Sequence, residues 1–313
     1  MELKGKKVLV FGAGISGTGS CRLLEAAGAR VILHDGNEKL DTEKMKEKLG
    51  EDSRVEIRLG AFPEEELPHL DLVVLSPGVP TDLPVVNRMH EMGIPVWGEI
   101  ELAWVCGKGD VLGITGTNGK TTTTTLLGEI IKNAFPSAFV VGNIGMPYTE
   151  SALDTREDSV TVAELSSFQL ESIHTFRPRV SAILNITPDH LNRHHTMEAY
   201  IGAKLNITKN QTAEDVCVLN YEDETTRKMA EKVNARVLFF ASGHKLEQGI
   251  YLEDDAIIYK PGKDREGILV CRTGELQLLG VHNYENVMAA VAMAAAYGVD
   301  MEIIRSTVKA FRG

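Results

Sequence analysis

The segment from Gly116 to Thr121, which reads G-T-N-G-K-T, restricts the possible folds of this chain more than any other segment. It follows an apolar run from Val111 to Ile114 and precedes a helical pattern from Thr122 to Phe135. A strand, a glycine-rich turn ending in Lys-Thr and a helix together cradle phosphate, because the N–H groups of the turn and the helix N-terminus attract anions. The segment therefore predicts a nucleoside triphosphate site in a P-loop NTPase-like α/β domain.

Two side chains of this segment carry the predicted chemistry. Lys120 would neutralise charge on the β- and γ-phosphates, and the Thr121 hydroxyl would bind Mg²⁺. The full phosphate-loop pattern has a further glycine where Ile114 stands, so this chain carries only the shorter G-x-x-G-K-T form. An ordinary glycine turn capped by a threonine is the alternative interpretation. The predicted ATP-binding residues of the segment are Gly116, Thr117, Asn118, Gly119, Lys120, Thr121 and Thr122.

A second glycine-rich turn, Gly12 to Gly17, reads G-A-G-I-S-G and follows an apolar strand from Lys7 to Phe11. A further strand, Arg30 to Leu33, ends in His34 and Asp35. This pattern is typical of a dinucleotide-binding βαβ unit with an acidic residue at the end of its second strand. The turn would equally accept the pyrophosphate of a nucleotide sugar. A third interpretation is that the glycines only let helix and strand pack closely.

Strands and helices alternate along the first part of the chain. The strand from Asp71 to Leu75 is followed by Ser76, Pro77 and Gly78, and α/β sheets bind ligands in loops at the carboxyl ends of their strands. Alternation of this kind predicts a parallel sheet covered by helices on both faces. We therefore expect a Rossmann-like domain over residues 1–97.

The remaining residues, 98–313, are expected to form a central ATP-binding α/β domain. In its second half, apolar runs predict a sheet with some antiparallel strands; the runs are Val216 to Leu219, Val237 to Phe240, Ile250 to Tyr259 and Ile268 to Thr273. A length of 313 residues also favours two domains over one.

Two further polar residues follow strands of the second domain. Asn143 comes just after the strand from Ala138 to Val141, and Glu164 comes directly after the strand from Val160 to Ala163. A carboxylate at the end of a buried strand, beside a phosphate loop, is placed to hold Mg²⁺ directly or through water. For Glu164 alone, a charge at a helix N-terminus is the alternative.

A strand from Val180 to Ile186 precedes a segment with one Asp and three His in seven residues: Asp189, His190, His194 and His195. Such a cluster suggests a metal or phosphate site. A helix opened by Thr196 then carries Tyr200, Lys204 and Thr208 on one face, and its spacing alone would leave Lys204 solvated. Asn283 and Asn286 open an Ala-rich helix, where capping is an alternative to ligand binding.

Composition excludes several classes of protein. A net charge of −11 argues against general nucleic-acid binding, and no apolar run approaches the length of a membrane span. The charged N-terminus followed by a short apolar run is not a signal peptide. The four cysteines, Cys21, Cys106, Cys217 and Cys271, are far apart, which indicates reduced, mostly buried thiols in a cytoplasmic protein.

With these motifs assembled, the chain resembles the Mur ligases and their relatives, the folylpolyglutamate synthetases. The resemblance covers the entire chain and rests on four separated motifs in the same order, which lie at Gly12–Gly17, Gly116–Thr121, Asn185–His194 and His282–Asn286. The segment Glu164 to Leu170, E-L-S-S-F-Q-L, is most similar to the branch of the Mur ligases that adds D-glutamate.

The resemblance implies ATP-dependent amide formation in peptidoglycan synthesis. The L-alanyl carboxylate of UDP-N-acetylmuramoyl-L-alanine would become an acyl phosphate, and the amine of D-glutamate would displace the phosphate. Lys120, His190 and Lys204 would be catalytic. The resemblance implies two Mg²⁺ ions, held by Thr121, Glu164, His190 and a Lys204 carried as a carbamate, because an anion suits a dimetal site better than an ammonium.

The resemblance also assigns binding residues. Asn283 and Asn286 match the adenine side of the ATP site. The residues implied for the UDP-substrate are Gly14, Ile15, Ser16, Asp35, Ser76, Pro77, Gly78, Asn143, Ser166 and Gln169.

The chain differs from the family pattern at its C-terminal end. In the family a third domain, which carries the D-glutamate contacts, follows the last helix seen here. We therefore expect a truncated form that binds ATP and UDP-substrate with little ligation.

An NAD-dependent oxidoreductase is a second possible function, but it gives no role to Lys120, Glu164 and His190. A folylpolyglutamate-synthetase-like ligase is a third, and the N-terminal domain and the segment Ser166 to Gln169 argue against it.

Overall fold

The computed structural model describes residues 2–143 and 145–313. The chain divides into two compact units. The first unit consists of Met1–Lys108, Met146–Thr155 and Phe168–Phe176, and the second of Gly109–Gly145, Arg156–Ser167 and Arg177–Gly313. No helix in the described parts of the chain is long and apolar enough to cross a membrane.

The strands in chain order are β1 Lys7–Phe11, β2 Arg30–Asp35, β3 Glu56–Leu59, β4 Leu72–Leu75, β5 Val96–Gly98, β6 Asp110–Thr115, β7 Ala138–Gly142, β8 Val160–Glu164, β9 Val180–Ile183, β10 Val216–Asn220, β11 Arg236–Ala241, β12 Gly249–Glu253, β13 Ala256–Lys260 and β14 Ile268–Arg272. The α-helices are α1 Ile15–Ala26, α2 Thr42–Leu49, α3 Pro84–Glu91, α4 Glu99–Cys106, α5 Lys120–Ala134, α6 Tyr148–Ser151, α7 Ser167–Leu170, α8 Leu191–His194, α9 Met197–Leu205, α10 Glu224–Met229, α11 Val281–Tyr297 and α12 Met301–Ala310.

The first unit contains a five-stranded sheet in the order β3-β2-β1-β4-β5. All of its strand pairs are parallel, as the alternation of strands and helices predicts. The central strands are buried on both faces, because helices cover both sides of a parallel sheet. The edge strand β3 was not expected from the sequence, because it carries two charged residues, Glu56 and Arg58, among four.

The second unit contains a nine-stranded sheet in the order β14-β13-β12-β11-β10-β9-β6-β8-β7. The strands from β12 to β7 pair in parallel, and β12-β13 and β13-β14 pair antiparallel. The predicted α/β fold with some antiparallel strands is therefore confirmed. Helices α5 and α11 supply apolar residues such as Leu126 and Val291 to one core beneath this sheet.

Two expectations about strands are wrong in detail. The run from Ile250 to Tyr259 is not one strand, because the chain reverses at Asp254, whose φ of 54° is left-handed, and forms the hairpin β12-β13. The strand expected from Val180 to Ile186 ends at Ile183.

The cysteines lie as predicted. Cys21, Cys217 and Cys271 are buried, Cys106 is half-buried, and all four are free thiols.

Candidate functional site

The conformation of the loop between β6 and α5 requires a glycine at position 119. Gly119 adopts a φ of 83° at the N-cap of α5, a conformation that side chains disfavour. A Cβ at this position would lie 2.1 Å from Oδ1 of Asn286. The side chain of Asn286, which is buried in α11, therefore packs directly against the turn.

A segment after β9 holds the same loop from the other side. The N–H of Thr117 donates to the carbonyl of Asn185 at 3.0 Å. The side chain of Asn185 accepts from the N–H of Asn118 at 2.8 Å and donates to the carbonyl of Asn118 at 3.0 Å. Asn185 is a residue of the site that was not predicted from the sequence. Its position after a strand that pairs with β6 is the signal that could have identified it.

Lys120 folds back onto the loop that it follows. Its Nζ donates to the carbonyl of Gly116 at 3.0 Å and to that of Thr117 at 2.9 Å. Burial lowers the pKa of Lys120, while the charges of Glu164 and Asp189 act in the opposite direction. The loop therefore holds the positive charge of Lys120. A bound phosphate can replace the two carbonyl oxygens as the acceptor of its hydrogen bonds.

Lys204 is buried, with 2% of its surface exposed, so the expectation of a solvated lysine on a helix is wrong. Its Nζ donates to the carbonyl of Gly116 at 2.7 Å and lies 4.8 Å from the centre of the Tyr200 ring. Burial, together with the charge of Lys120, lowers the pKa of Lys204 to about 7. Thr208, expected on the same helical face, lies in a 3₁₀ turn after α9.

Glu164 lies at the end of β8 and is buried. Its Oε2 accepts from the Thr121 hydroxyl at 3.1 Å, and its Oε1 accepts from Nδ2 of Asn143 at 2.9 Å. A carboxylate and a hydroxyl beside a phosphate loop are oxygen ligands of the kind that Mg²⁺ takes together with substrate phosphates and waters. These residues therefore fit one nucleotide-bound Mg²⁺.

The segment with three histidines does not form a metal site by itself. Among residues 2–143 and 145–313, no group of three or more His, Cys, Asp and Glu side chains is arranged to hold a metal ion. His190 Nε2 lies 3.4 Å from Asp189 Oδ2, and His190 adopts a left-handed φ of 51°. His194 is buried and its Nε2 lies 2.9 Å from the Ser167 hydroxyl.

The two asparagines of α11 do not cap the helix with their side chains, since Gly280 is the N-cap and makes no side-chain bond. Nδ2 of Asn283 donates to the carbonyl of Leu279 at 2.8 Å, and Nδ2 of Asn286 lies 3.5 Å from Oδ1 of Asn283. Asn286 therefore lies in the second turn, against the phosphate loop, rather than in the first turn.

The glycine-rich turn of the first unit is packed closely. A Cβ on Gly17 would lie 1.8 Å from the carbonyl oxygen of Gly12, so only glycine fits there. The Ser76 hydroxyl donates to that carbonyl at 2.9 Å, which joins the loops after β1 and β4. Asp35 accepts from the N–H of Ala13 at 2.8 Å and from that of Asn37 at 2.9 Å.

The other residues predicted for the UDP-substrate are placed as follows. Gly14 is the N-cap of α1, and Ile15 is 72% exposed beside it. Gln169 is buried in the first unit, where its Nε2 donates to Oε1 of Glu99 at 2.8 Å. Ser16 lies in the first turn of α1, and Pro77 and Gly78 lie in the loop after β4. Ser166 belongs to the second unit, between β8 and α7.

Comparison with known proteins matches both parts of the chain to one family. Residues 114–294 match the Mur ligase middle domain, and residues 6–98 match the MurD-like N-terminal domain of Mur ligases. The chain is 56% identical over its whole length to UDP-N-acetylmuramoylalanine–D-glutamate ligase of Lachnoclostridium phytofermentans and spans 68% of that protein. It is 54% identical to the ligase of the same name from Lachnospira eligens and spans 69% of it.

Solved structures share the fold. The ligase MPL from Neisseria meningitides, described as UDP-N-acetylmuramate:L-alanyl-gamma-D-glutamyl-meso-diaminopimelate ligase, aligns over 99% of each chain with a TM-score of 0.66 and 19% identity. A murein peptide ligase from Psychrobacter arcticus aligns over 99% of this chain and 69% of its own, with a TM-score of 0.63 and 20% identity. From the two matched domains and the whole-length relatives, the chain belongs to the Mur ligase family, the ATP-dependent ligases of peptidoglycan biosynthesis.

Proposed function

We propose that this chain carries the UDP-substrate and ATP sites of a ligase that joins D-glutamate to UDP-N-acetylmuramoyl-L-alanine. The observation that carries the proposal is the cluster of Lys120, Thr121 and Glu164 around a loop that is shaped for phosphate. The whole-length identity to two D-glutamate ligases supports this choice of substrates within the family. We assign the UDP-substrate to residues 1–97 and ATP to residues 98–313.

The reaction needs a carboxylate to act as an acyl donor. An oxygen of the L-alanyl carboxylate attacks the γ-phosphorus, the bond to the β-phosphate oxygen breaks, and ADP leaves. The amine of D-glutamate then attacks the acyl carbon, loses a proton and releases inorganic phosphate. Two anions meet in the first step, so cations must screen them. Lys120 supplies one such charge, and Thr121 and Glu164 would hold a Mg²⁺ that supplies the other.

Lys204 is the residue that we assign to carbamylation. A pKa of about 7 leaves a large share of the side chain as the neutral amine at physiological pH. The neutral amine adds CO₂ and releases one proton, which gives a carbamate anion. That change removes the like charge beside Lys120 and provides two oxygen ligands. We assign a second Mg²⁺ to this carbamate and His190.

The glycine-rich turn of the first unit is assigned to the pyrophosphate of the UDP-substrate. Backbone N–H groups at the start of α1, around Gly14, Ile15 and Ser16, would donate to such a group, because a helix N-terminus favours anions. Both oxygens of Asp35 already accept backbone N–H groups, an arrangement that leaves this carboxylate less available to the ribose hydroxyls of NAD. Asn143, Ser166 and Gln169 are assigned to the remainder of the substrate, and Asn283 and Asn286 to the adenine side.

Since the reaction consumes ATP, we place the protein in the cytoplasm.

The test is ligation of labelled D-glutamate, followed by mass spectrometry. It uses the 313-residue chain. We expect UDP-substrate, ATP and Mg²⁺ all to be required for product. Product formed with NAD in place of ATP, or ligation to a folate and not to the UDP-substrate, would overturn the proposal.

A further inference from the structure

A buried imidazole connects the segment that carries Glu164 to a neighbouring helix. His194 ends α8, is 5% exposed, and places its Nε2 2.9 Å from the hydroxyl of Ser167, which is 2% exposed. Ser167 follows Glu164 by three residues. This bond therefore links the end of α8 to the segment that directly follows β8.

The other face of the imidazole contacts a residue that holds the phosphate loop. The rings of His194 and Tyr200 are 5.2 Å apart between centroids, at an angle of 55°. Tyr200 is fully buried, and its hydroxyl lies 3.0 Å from the Thr117 hydroxyl in the loop. The Thr117 hydroxyl also accepts the N–H of Thr187 at 3.0 Å, so it is fixed from two directions.

These contacts form a ring that begins and ends at the phosphate loop. They run from Thr117 through Tyr200 and His194 to Ser167. The main chain joins Ser167 to Glu164, and the bond between Thr121 and Glu164 returns to the loop. The position of the Glu164 carboxylate relative to the loop is therefore held from two sides. Mg²⁺ tolerates little deviation from octahedral geometry with short bonds, so this position matters to a nucleotide-bound ion.

We propose that His194 is a positioning residue that holds the Glu164 carboxylate at the distance from the phosphate loop that a Mg²⁺–nucleotide complex requires. The inference rests on the nucleotide site of the proposed function. His194 is assigned no contact with nucleotide or metal, and it acts through Ser167 and Tyr200. Its removal should weaken the contribution of Mg²⁺ to nucleotide binding and leave the contribution of the loop unchanged.

The variants separate the hydrogen bond from the ring packing. His194→Phe keeps a ring against Tyr200 and loses the bond to Ser167, and Ser167→Ala removes the same bond from the other side. His194→Gln offers an amide close to the original Nε2 position and should restore part of the effect. His90→Gln is the matched control, because His90 is exposed on α3 in the first unit.

The measurement is calorimetric titration of a non-hydrolysable ATP analogue at a series of Mg²⁺ concentrations and in EDTA. We expect the Mg²⁺ concentration for half-maximal effect to rise about three- to tenfold in His194→Phe and in Ser167→Ala, the range that one hydrogen bond supports. The double variant, His194→Phe with Ser167→Ala, should require no more Mg²⁺ for half-maximal effect than either single variant. Affinity in EDTA should not change, a result that a general loss of structure would not give.

Equal Mg²⁺ midpoints in the unsubstituted chain and in both single variants would overturn the role of His194. Equal losses of affinity with and without Mg²⁺ would overturn it too, since they indicate damage to the loop as a whole. If His194→Phe does not fold, Ser167→Ala decides the question. A chain that binds no nucleotide under any of these conditions would instead show that the proposed function is wrong.

Discussion

The ammonium groups of Lys120 and Lys204 donate to one acceptor, the carbonyl oxygen of Gly116, at 3.0 and 2.7 Å. Two like charges at one oxygen repel each other, and burial makes the repulsion stronger because water screens it poorly. Burial, and after it the charge of Lys120, lowers the pKa of Lys204 to about 7. One lysine is therefore suited to remain a cation, and the other to become neutral and react.

Removal of the Lys120 charge should weaken ATP binding. We expect Lys120→Ala to lower the affinity on the order of 10- to 100-fold, the range for a hydrogen bond to a charged group. Calorimetry with ATP and Mg²⁺ measures the effect. Lys132→Ala is the control, because Lys132 lies on the same helix and pairs with Glu129 at the surface. Unchanged affinity in Lys120→Ala would contradict the assignment of the loop to ATP.

The lowered pKa of Lys204 makes the stability of the protein depend on pH. In the unfolded chain this lysine titrates near 10.4, whereas in the folded chain it titrates at about 7. Between these values the unfolded chain binds more protons, so the free energy of unfolding should rise with pH, by at most about 1.4 kcal/mol per pH unit. Below pH 7 both states are protonated and the dependence disappears.

Lys204→Met is the matched variant for this dependence, because it keeps an unbranched apolar side chain and cannot titrate. Urea unfolding in CO₂-free buffer between pH 7 and 9 should show a smaller slope in the variant than in the unsubstituted chain. Parallel pH profiles would mean that Lys204 is charged in the folded state.

The side chain of Asn185 should contribute to ATP affinity without touching the nucleotide. Asn185→Ala removes two hydrogen bonds to the backbone of Asn118 and leaves the loop free to move. We expect affinity for ATP to fall about five- to 30-fold, since each of the two bonds contributes about 1 kcal/mol. Asn87→Ala, at an exposed position of α3, should leave the affinity unchanged. Equal affinities in both variants would show that the loop keeps its shape without Asn185.

The ligand of the first unit can be identified by thermal denaturation. UDP or the UDP-substrate should raise the melting temperature, because a ligand that binds only the folded state stabilises it. Ser76→Ala removes the bond to the carbonyl of Gly12 and should reduce this rise. NAD should give no comparable shift. A larger shift with NAD than with the UDP ligand would favour a dinucleotide site instead.

The local pattern of the sequence determined the elements that carry the site. Apolar runs followed by glycines predicted β1, β6 and the two turns, and G-x-x-G-K-T placed Lys120 and Thr121 at the start of a helix. These features are encoded within a few consecutive residues, since a turn that needs glycine and a strand that needs apolar residues leave a local signal. The split of 250–259 into two strands was missed, because the left-handed residue at the reversal is Asp254 and not a glycine.

Only the tertiary structure decided which polar residues meet. Lys204 lies on a helix whose spacing suggests a solvated lysine, yet it is buried because α9 packs beside the phosphate loop. The roles of Asn185 and His194 depend on contacts with residues that lie far from them in the chain. Burial and the approach of a second charge set the pKa of Lys204, and both depend on distances between residues that the order of amino acids does not contain.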